Sequence, residues 1–143
     1  MQRLSNWSAR SATPEDIPAV LAMWRHAGGP VSVTDTPQGL AALLAGDPHA
    51  LLIADGGDAP IASLIAAWDG WRGNFYKLVV HPQRRREGIG SALVREGERR
   101  LRARGATRLA AVVADDDPVA LAFWRNAGYR RQGSRARLVR HLG

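Results

Sequence analysis

The sequence predicts a mixed α/β domain: one central sheet, antiparallel for most of its width, with helices on both faces. Three observations lead there. Four strand-length segments carry continuous apolar runs and not alternating ones, which is the pattern of strands covered on both sides. A strand, a helix and a further strand follow one another over 74–114, which argues for a parallel crossover. The chain has 143 residues, 45% of them apolar, enough for one compact core. No repeat, low-complexity tract or linker interrupts it, so 1–143 reads as a single domain.

A first strand is predicted over 7–12. Thr13 then caps a helix, Pro14 suits its first position, and Glu15 and Asp16 sit at the positive end of its dipole. Ile17, Val20, Leu21 and Trp24 follow at i, i+3, i+4 and i+7, one apolar face. Gly28, Gly29 and Pro30 end that helix, and a second short one is predicted over 37–45. Strands are expected over 50–54, 61–68, 74–80 and 108–114. The turn signals Gly56-Gly57 and Asp69-Gly70 make a meander of the first three of these. A helix over 88–104 buries Ile89, Ala92, Leu93, Gly97 and Leu101 and exposes Arg95, Glu98, Arg99 and Arg102, with Glu98 and Arg102 at a supportive i,i+4 spacing. Gly105 stops it. A last helix covers 118–126, and one or two edge strands are expected within 129–141.

Composition narrows the function classes. There is no cysteine, which removes disulfides, thiolate metal sites and a cysteine nucleophile. His26, His49, His81 and His141 are scattered without ligand spacing, so no metal site is proposed. Asp115, Asp116 and Asp117 suit a capping loop better than a cation site. Ser63 and Ser91 have no His/Asp partner at readable spacing, so a hydrolase triad is unsupported. No stretch approaches a membrane span and the start does not resemble a signal peptide, so no membrane role and a cytoplasmic location are expected. The net charge of +7 rests on arginine, since Lys77 is the single lysine. That balance suits a polyanionic or phosphorylated partner.

The informative stretch is Val79-Val80-His81-Pro82-Gln83-Arg84-Arg85-Arg86-Glu87-Gly88-Ile89-Gly90-Ser91. An apolar strand ends, a basic turn follows, and two glycines enter a helix. The first amides of a helix lack intrahelical partners and point along its positive end, which makes an anion site. Gly88 and Gly90 let a phosphate approach the backbone, and the arginines add charge. No lysine–serine/threonine pair follows the glycines, so it is not a Walker loop. Leu93 occupies the third glycine position of a dinucleotide fingerprint, so it is not that either.

Arg85-Arg86-Glu87-Gly88-Ile89-Gly90 resembles the R/Q-x-x-G-x-G/A signature of the GNAT superfamily of N-acetyltransferases. Leu78-Val79-Val80-His81-Pro82 looks like that family's fourth strand and its exit. The segment from Asp117 through Ala120, Phe123 and Trp124 to Gly128 and Tyr129 is similar to its later N-x-x-A-x-x-F-Y-x-x-x-G-F/Y motif. The opening from Arg10 to Asp16 also has the family's look. The resemblance implies the GNAT fold, in which the strand ending at Val80 splays from its parallel neighbour. It implies acetyl-CoA as co-substrate and an amine acceptor, small molecule or protein. Carried over by position, Leu78, Val79 and Val80 would bind the pantetheine arm and acyl group, with the Val80 amide facing the thioester oxygen. Arg85, Arg86, Glu87, Gly88, Ile89, Gly90 and Ser91 would hold the pyrophosphate, and Asp117 and Trp124 would complete the cofactor site.

Two positions depart from the family pattern. Asp117 stands for its asparagine, and Trp124 for the tyrosine that often protonates the leaving thiolate. An indole is not an acid, so Trp124 is expected beside the cofactor sulfur without that chemistry, and Phe123 is expected in the core. Asp69, in the turn Trp68-Asp69-Gly70-Trp71-Arg72-Gly73, is a candidate base for an ammonium acceptor, against the plainer reading of Asp-Gly as a hairpin turn. The alternatives to an N-acetyltransferase are a non-catalytic CoA-binding or sensor module of the same fold and, less favoured, a nucleic-acid-binding domain. Either a monomer or a homodimer is compatible with the sequence.

Overall fold

The computed structural model of the protein describes residues 6–29 and 31–143. Pro30, expected to help end the first helix, lies outside the described residues. The elements are β1 (Ser8–Ser11), α1 (Ile17–Ala27), α2 (Pro37–Gly46), β2 (Leu51–Asp55), β3 (Pro60–Trp68), β4 (Gly73–Val80), α3 (Ile89–Ala103), β5 (Leu109–Ala111) and α4 (Pro118–Asn126). They form a five-stranded sheet in the order β1-β2-β3-β4-β5. All pairs are antiparallel except β4–β5, which is parallel. The predicted meander and crossover are both present.

Alternation along each strand divides the core in two. Leu52, Ala54, Leu64, Ala66 and Phe75 pack with Ile89, Leu93 and Leu101 of α3 and Trp124 of α4. Leu51, Ile53 and Ile65 pack with Val20, Leu21 and Trp24 of α1 and Leu40 and Leu44 of α2. Helices on both faces explain why the strand runs are apolar throughout. On α3 the buried stripe is Ile89, Leu93, Val94, Gly97 and Leu101; it gains Val94, and Ala92, expected in it, is only half-buried. Gly97 has a packing reason: a Cβ there would stand 2.7 Å from the Phe75 ring. α1 is entered through a capping box in which the Thr13 amide donates to Asp16 at 2.8 Å. Arg10 grips the same carboxylate in bidentate fashion at 2.8 and 2.9 Å, and that hydrogen-bonded guanidinium lowers the Asp16 pKa to about 2.

Two expectations are corrected. Glu98 does not serve an i,i+4 pair with Arg102; it accepts the Tyr129 hydroxyl at 2.6 Å, while Glu96 takes Arg99 and Arg100 at 2.6 and 2.8 Å. Burial and the Glu98 carboxylate push the Tyr129 phenol above its usual range. The chain beyond α4 forms no strand, and β5 spans three residues instead of the seven expected. From Arg130 onward every residue is exposed. Arg130, Arg131, Arg135, Arg137 and Arg140 outnumber Leu138, Val139 and Leu142, leaving no apolar face to press onto the sheet.

β4 carries one extra residue. Its register against β3 runs Val79 opposite Ser63 but Tyr76 opposite Ile65. Lys77 absorbs the bulge with φ 54, a left-handed conformation uncommon for a residue with a side chain. Ser63, a polar residue in an apolar run, braces it. It is fully buried, accepts the Trp24 indole N–H at 2.8 Å and donates to the Lys77 carbonyl at 2.9 Å. The Lys77 ammonium meets Asp35, from the α1–α2 loop, at 2.6 Å and lies 5.0 Å from the Trp24 ring centroid.

Candidate functional site

The site is built where β4 ends and α3 begins. β4 and β5 pair only from Gly73 and Leu109 to Phe75 and Ala111, with a last hydrogen bond from the Val112 amide to the Phe75 carbonyl at 3.2 Å. From Tyr76 onward β4 has no strand on that side, so the parallel pair opens into a slot. The His81 amide donates across to Ile61 of β3 at 2.8 Å. By strand alternation the Val80 N–H points to the opposite edge, into the slot. Leu78 and Val80 turn their side chains to the α3/α4 face and Val79 to the other.

After Val80 the chain makes a one-turn helix, Pro82–Arg84, started by His81, whose ring nitrogen accepts the Gln83 amide at 3.1 Å. Arg84 pairs with Glu87 at 2.8 Å and reaches Asn6 at 2.6 Å, so these residues brace the turn. Arg85 and Arg86 remain exposed; Arg85 leans back on the Val80 carbonyl at 3.4 Å, and Arg86 is left-handed with φ 66. Gly88 starts α3 with φ 78 and no side-chain cap. The Ala92 amide is the first to bond back, to the Gly88 carbonyl at 3.1 Å. The amides of Ile89, Gly90 and Ser91 precede it at the positive end of a 15-residue helix. At Gly90 an added Cβ would lie 3.5 Å from Phe123 and 3.6 Å from Val80, so the glycine keeps a shallow cradle between strand and α4. These residues fit a pyrophosphate and an extended thioester arm: open amides, two exposed guanidinium groups, and a slot lined by strand backbone.

The remaining sequence candidates are placed differently. Asp117 caps α4, accepting the Ala120 amide at 3.0 Å. Trp124 is buried, with its indole 5.7 Å from Phe75 and 5.0 Å from Tyr129 between ring centroids, and it forms part of the wall of a groove between β5 and α4. Phe123 packs against the α3/α4-side core, as expected, and is also the aromatic nearest Gly90. Asp69 lies in the turn before β4, seven strand residues from Val80, or roughly 23 Å at a strand's rise. Its carboxylate accepts the Trp71 and Arg72 amides at 2.8 and 2.7 Å, and those backbone bonds lower its pKa. The structure does not bring it to the slot. Sequence reasoning passed over the Ser63–Lys77 brace; its one signal is a lone serine within Ile61–Ala67.

The chain is similar in sequence and fold to known acetyltransferases. An acetyltransferase of Yersinia enterocolitica is 30% identical over 117 residues, covering 82% of this chain and 83% of its own. One of Pectobacterium atrosepticum is 29% identical over 115 residues, covering 80% and 82%. In fold, the chain is similar to Ard1 from Thermoplasma volcanium, with TM-score 0.81, 17% identity and coverage of 90% and 86%. It is also similar to a PaiA N-acetyltransferase from Thermoplasma acidophilum in complex with coenzyme A, with TM-score 0.76, 16% identity and coverage of 91% and 95%. The family model described as "Acetyltransferase (GNAT) family" matches residues 6–129, a span that takes in the parting strands, the arginine-glycine turn and α4 together, and the chain belongs to that family.

Proposed function

We propose that the protein is an N-acetyltransferase that passes the acetyl group of acetyl-CoA to an amine acceptor by direct attack on the thioester. The observation that carries this reading is the uncapped start of α3, set at the end of a strand that has just parted from its parallel neighbour. The amides of Gly88–Ser91, with Arg85 and Arg86, hold the pyrophosphate. Glu87 acts through Arg84 by fixing the turn. The backbone of Leu78, Val79 and Val80 aligns the arm and acyl group, and the Val80 N–H faces the thioester oxygen, where a preorganised donor counts most as charge develops. The neutral amine nitrogen bonds to the acyl carbon, the C–S bond breaks, coenzyme A leaves as its thiolate, and the proton shed by the nitrogen passes to water. A thiol with pKa about 8.5 leaves without a strong acid, which suits a site whose tyrosine position holds Trp124. Asp69 is assigned no part in proton removal.

Calorimetry with acetyl-CoA tests the site. Gly90→Val fills the cradle beside Phe123 and should weaken binding by at least about tenfold, some 1.4 kcal/mol, with the melting temperature nearly unchanged. Equal binding by parent and variant would move the site elsewhere. Acetylation of an amine panel then separates an enzyme from a CoA-binding module without chemistry.

A further inference from the structure

A cleft of about 320 Å³ opens at the β4–β5 end of the sheet, lined by Arg72, Asn74, Arg108, Gln132 and Arg135. Three arginines line it, and no acidic residue is among the described residues that do so. The register fixes its face. Asn74 lies opposite Ala67, which packs with the α1/α2 core, and beside Ala110, whose neighbours Leu109 and Ala111 turn to the other face. The cleft therefore shares a face with Tyr76 and with the Lys77–Asp35 pair at the bulge.

The cleft is held from several sides. The Gly73 amide donates to the Arg108 carbonyl at 3.1 Å, joining the turn to the start of β5. The Arg108 side chain donates to Gln132 at 3.2 Å and so ties in the C-terminal segment. Arg72 stacks on Trp71 with its guanidinium carbon 4.0 Å from the ring centroid, and Trp71 is 69% exposed. Elsewhere Arg10, Arg84, Arg99, Arg100 and Arg104 each have a carboxylate partner. Asp69 offsets part of the Arg72 charge, but Arg108 and Arg135 have no carboxylate partner among the described residues; like charges so placed raise one another's energy, and an anion from outside relieves it. Guanidinium forks match phosphate and carboxylate oxygens in pairs.

We infer that the acceptor is an amine bearing a distal anionic group, phosphate or carboxylate, which sits in this arginine cleft while the amine reaches the slot beside Val80. This rests on the transfer reaction proposed above. Along β4 the separation from Asn74 to Val80, whose N–H faces the thioester oxygen, is roughly 16–20 Å, allowing for the bulge, which sets the length of such an acceptor. The slot opens to this face because β4 and β5 have parted by then. The turn around Asp69 thus borders the far end of the acceptor and supplies Arg72, not the base.

The test compares ω-aminoalkyl phosphates and ω-amino carboxylates of about that span with plain alkylamines of the same length. Binding is measured by calorimetry with and without saturating coenzyme A. The anion-bearing amines should bind the parent at least about tenfold more tightly than the plain ones. The double variant Arg108→Gln/Arg135→Gln should lose most of that advantage while keeping its affinity for coenzyme A and for the plain amines. Equal binding of charged and plain amines to the parent overturns the inference, as does an advantage that survives in the double variant. If the preference is present but no amine is acetylated, the anion cleft stands and the transferase reading falls. Failure of coenzyme A itself to bind likewise counts against that reading alone, because the amines are also measured without it.

Discussion

The two helices of the α3/α4 layer begin in opposite ways. α4 is closed by its own sequence: Asp117 accepts the Ala120 amide at 3.0 Å, and Pro118 occupies a position that needs no donor. α2 is closed likewise, by Thr36 on the Gly39 amide at 2.9 Å. α3 begins at Gly88, with a left-handed φ of 78 and no side chain to offer. A cap is worth about 1 kcal/mol, and this chain has the means to supply one. Withholding it on the helix that directly follows β4 leaves open the amides to which the proposed function assigns the pyrophosphate. A closed helix start reports on stability; an open one in such a place reports on binding.

The strongest way to break the contrast is to put a carboxylate at the open end. Gly88→Asp, with a residue type that tolerates a left-handed backbone better than most, should weaken acetyl-CoA binding by about 100-fold, near 2.7 kcal/mol, with little change in melting. Unchanged affinity by calorimetry would mean the open end has no phosphate. Trp124 probes the opposite role of α4. If it is packing and not an acid, Trp124→Phe should keep turnover within about tenfold while lowering the melting temperature. A loss beyond about 10³ in turnover at constant cofactor affinity would restore a chemical role. Asp117→Ala sharpens the comparison further. Loss of a cap predicts about 0.5–2 kcal/mol less stability in urea unfolding and acetyl-CoA affinity within about twofold. A tenfold fall in affinity would make Asp117 a cofactor residue after all.

The smallest effect is a pH dependence. The Tyr129 pKa is raised in the folded protein, chiefly by burial and then by Glu98. Its contribution to stability is therefore complete below the ordinary tyrosine value of about 10 and declines as the pH rises above that. Tyr129→Phe should flatten the alkaline limb of a melting-temperature profile. An identical limb in the variant would assign the loss to other groups.

What the sequence conveyed follows the range of the interactions. The open start of α3 was legible because glycine, arginine and helix period lie within a few residues of one another. The meander and the two-sided burial were legible from turn signals and apolar runs. Phe123 and Trp124 could not be told apart in this way. Neighbours on a helix differ by about 100° in direction, and the rotation of α4 is set by packing on Phe75, distant in sequence, as well as on the nearby Tyr129. Glu98 was assigned to a local pair because its true partner, Tyr129, lies 31 residues away. Strands expected within 129–141 failed because local β-propensity counts for little without an apolar face to bury.

The bulge at Lys77 bears on the enzyme's chemical durability. A protein that holds a thioester close is exposed to acylating itself, and lysine is the side chain most open to that damage. Guanidinium groups stay protonated at neutral pH and are poor nucleophiles. With Lys77 as the single lysine, the chain offers its own acyl donor one such amine. That nitrogen is held by Asp35 at 2.6 Å. Under the proposed function, cationic charge carried almost wholly by arginine suits a phosphorylated cofactor without furnishing competing acceptors. Trading surface arginines for lysines would keep the charge while turning the protein into a substrate for its own reaction.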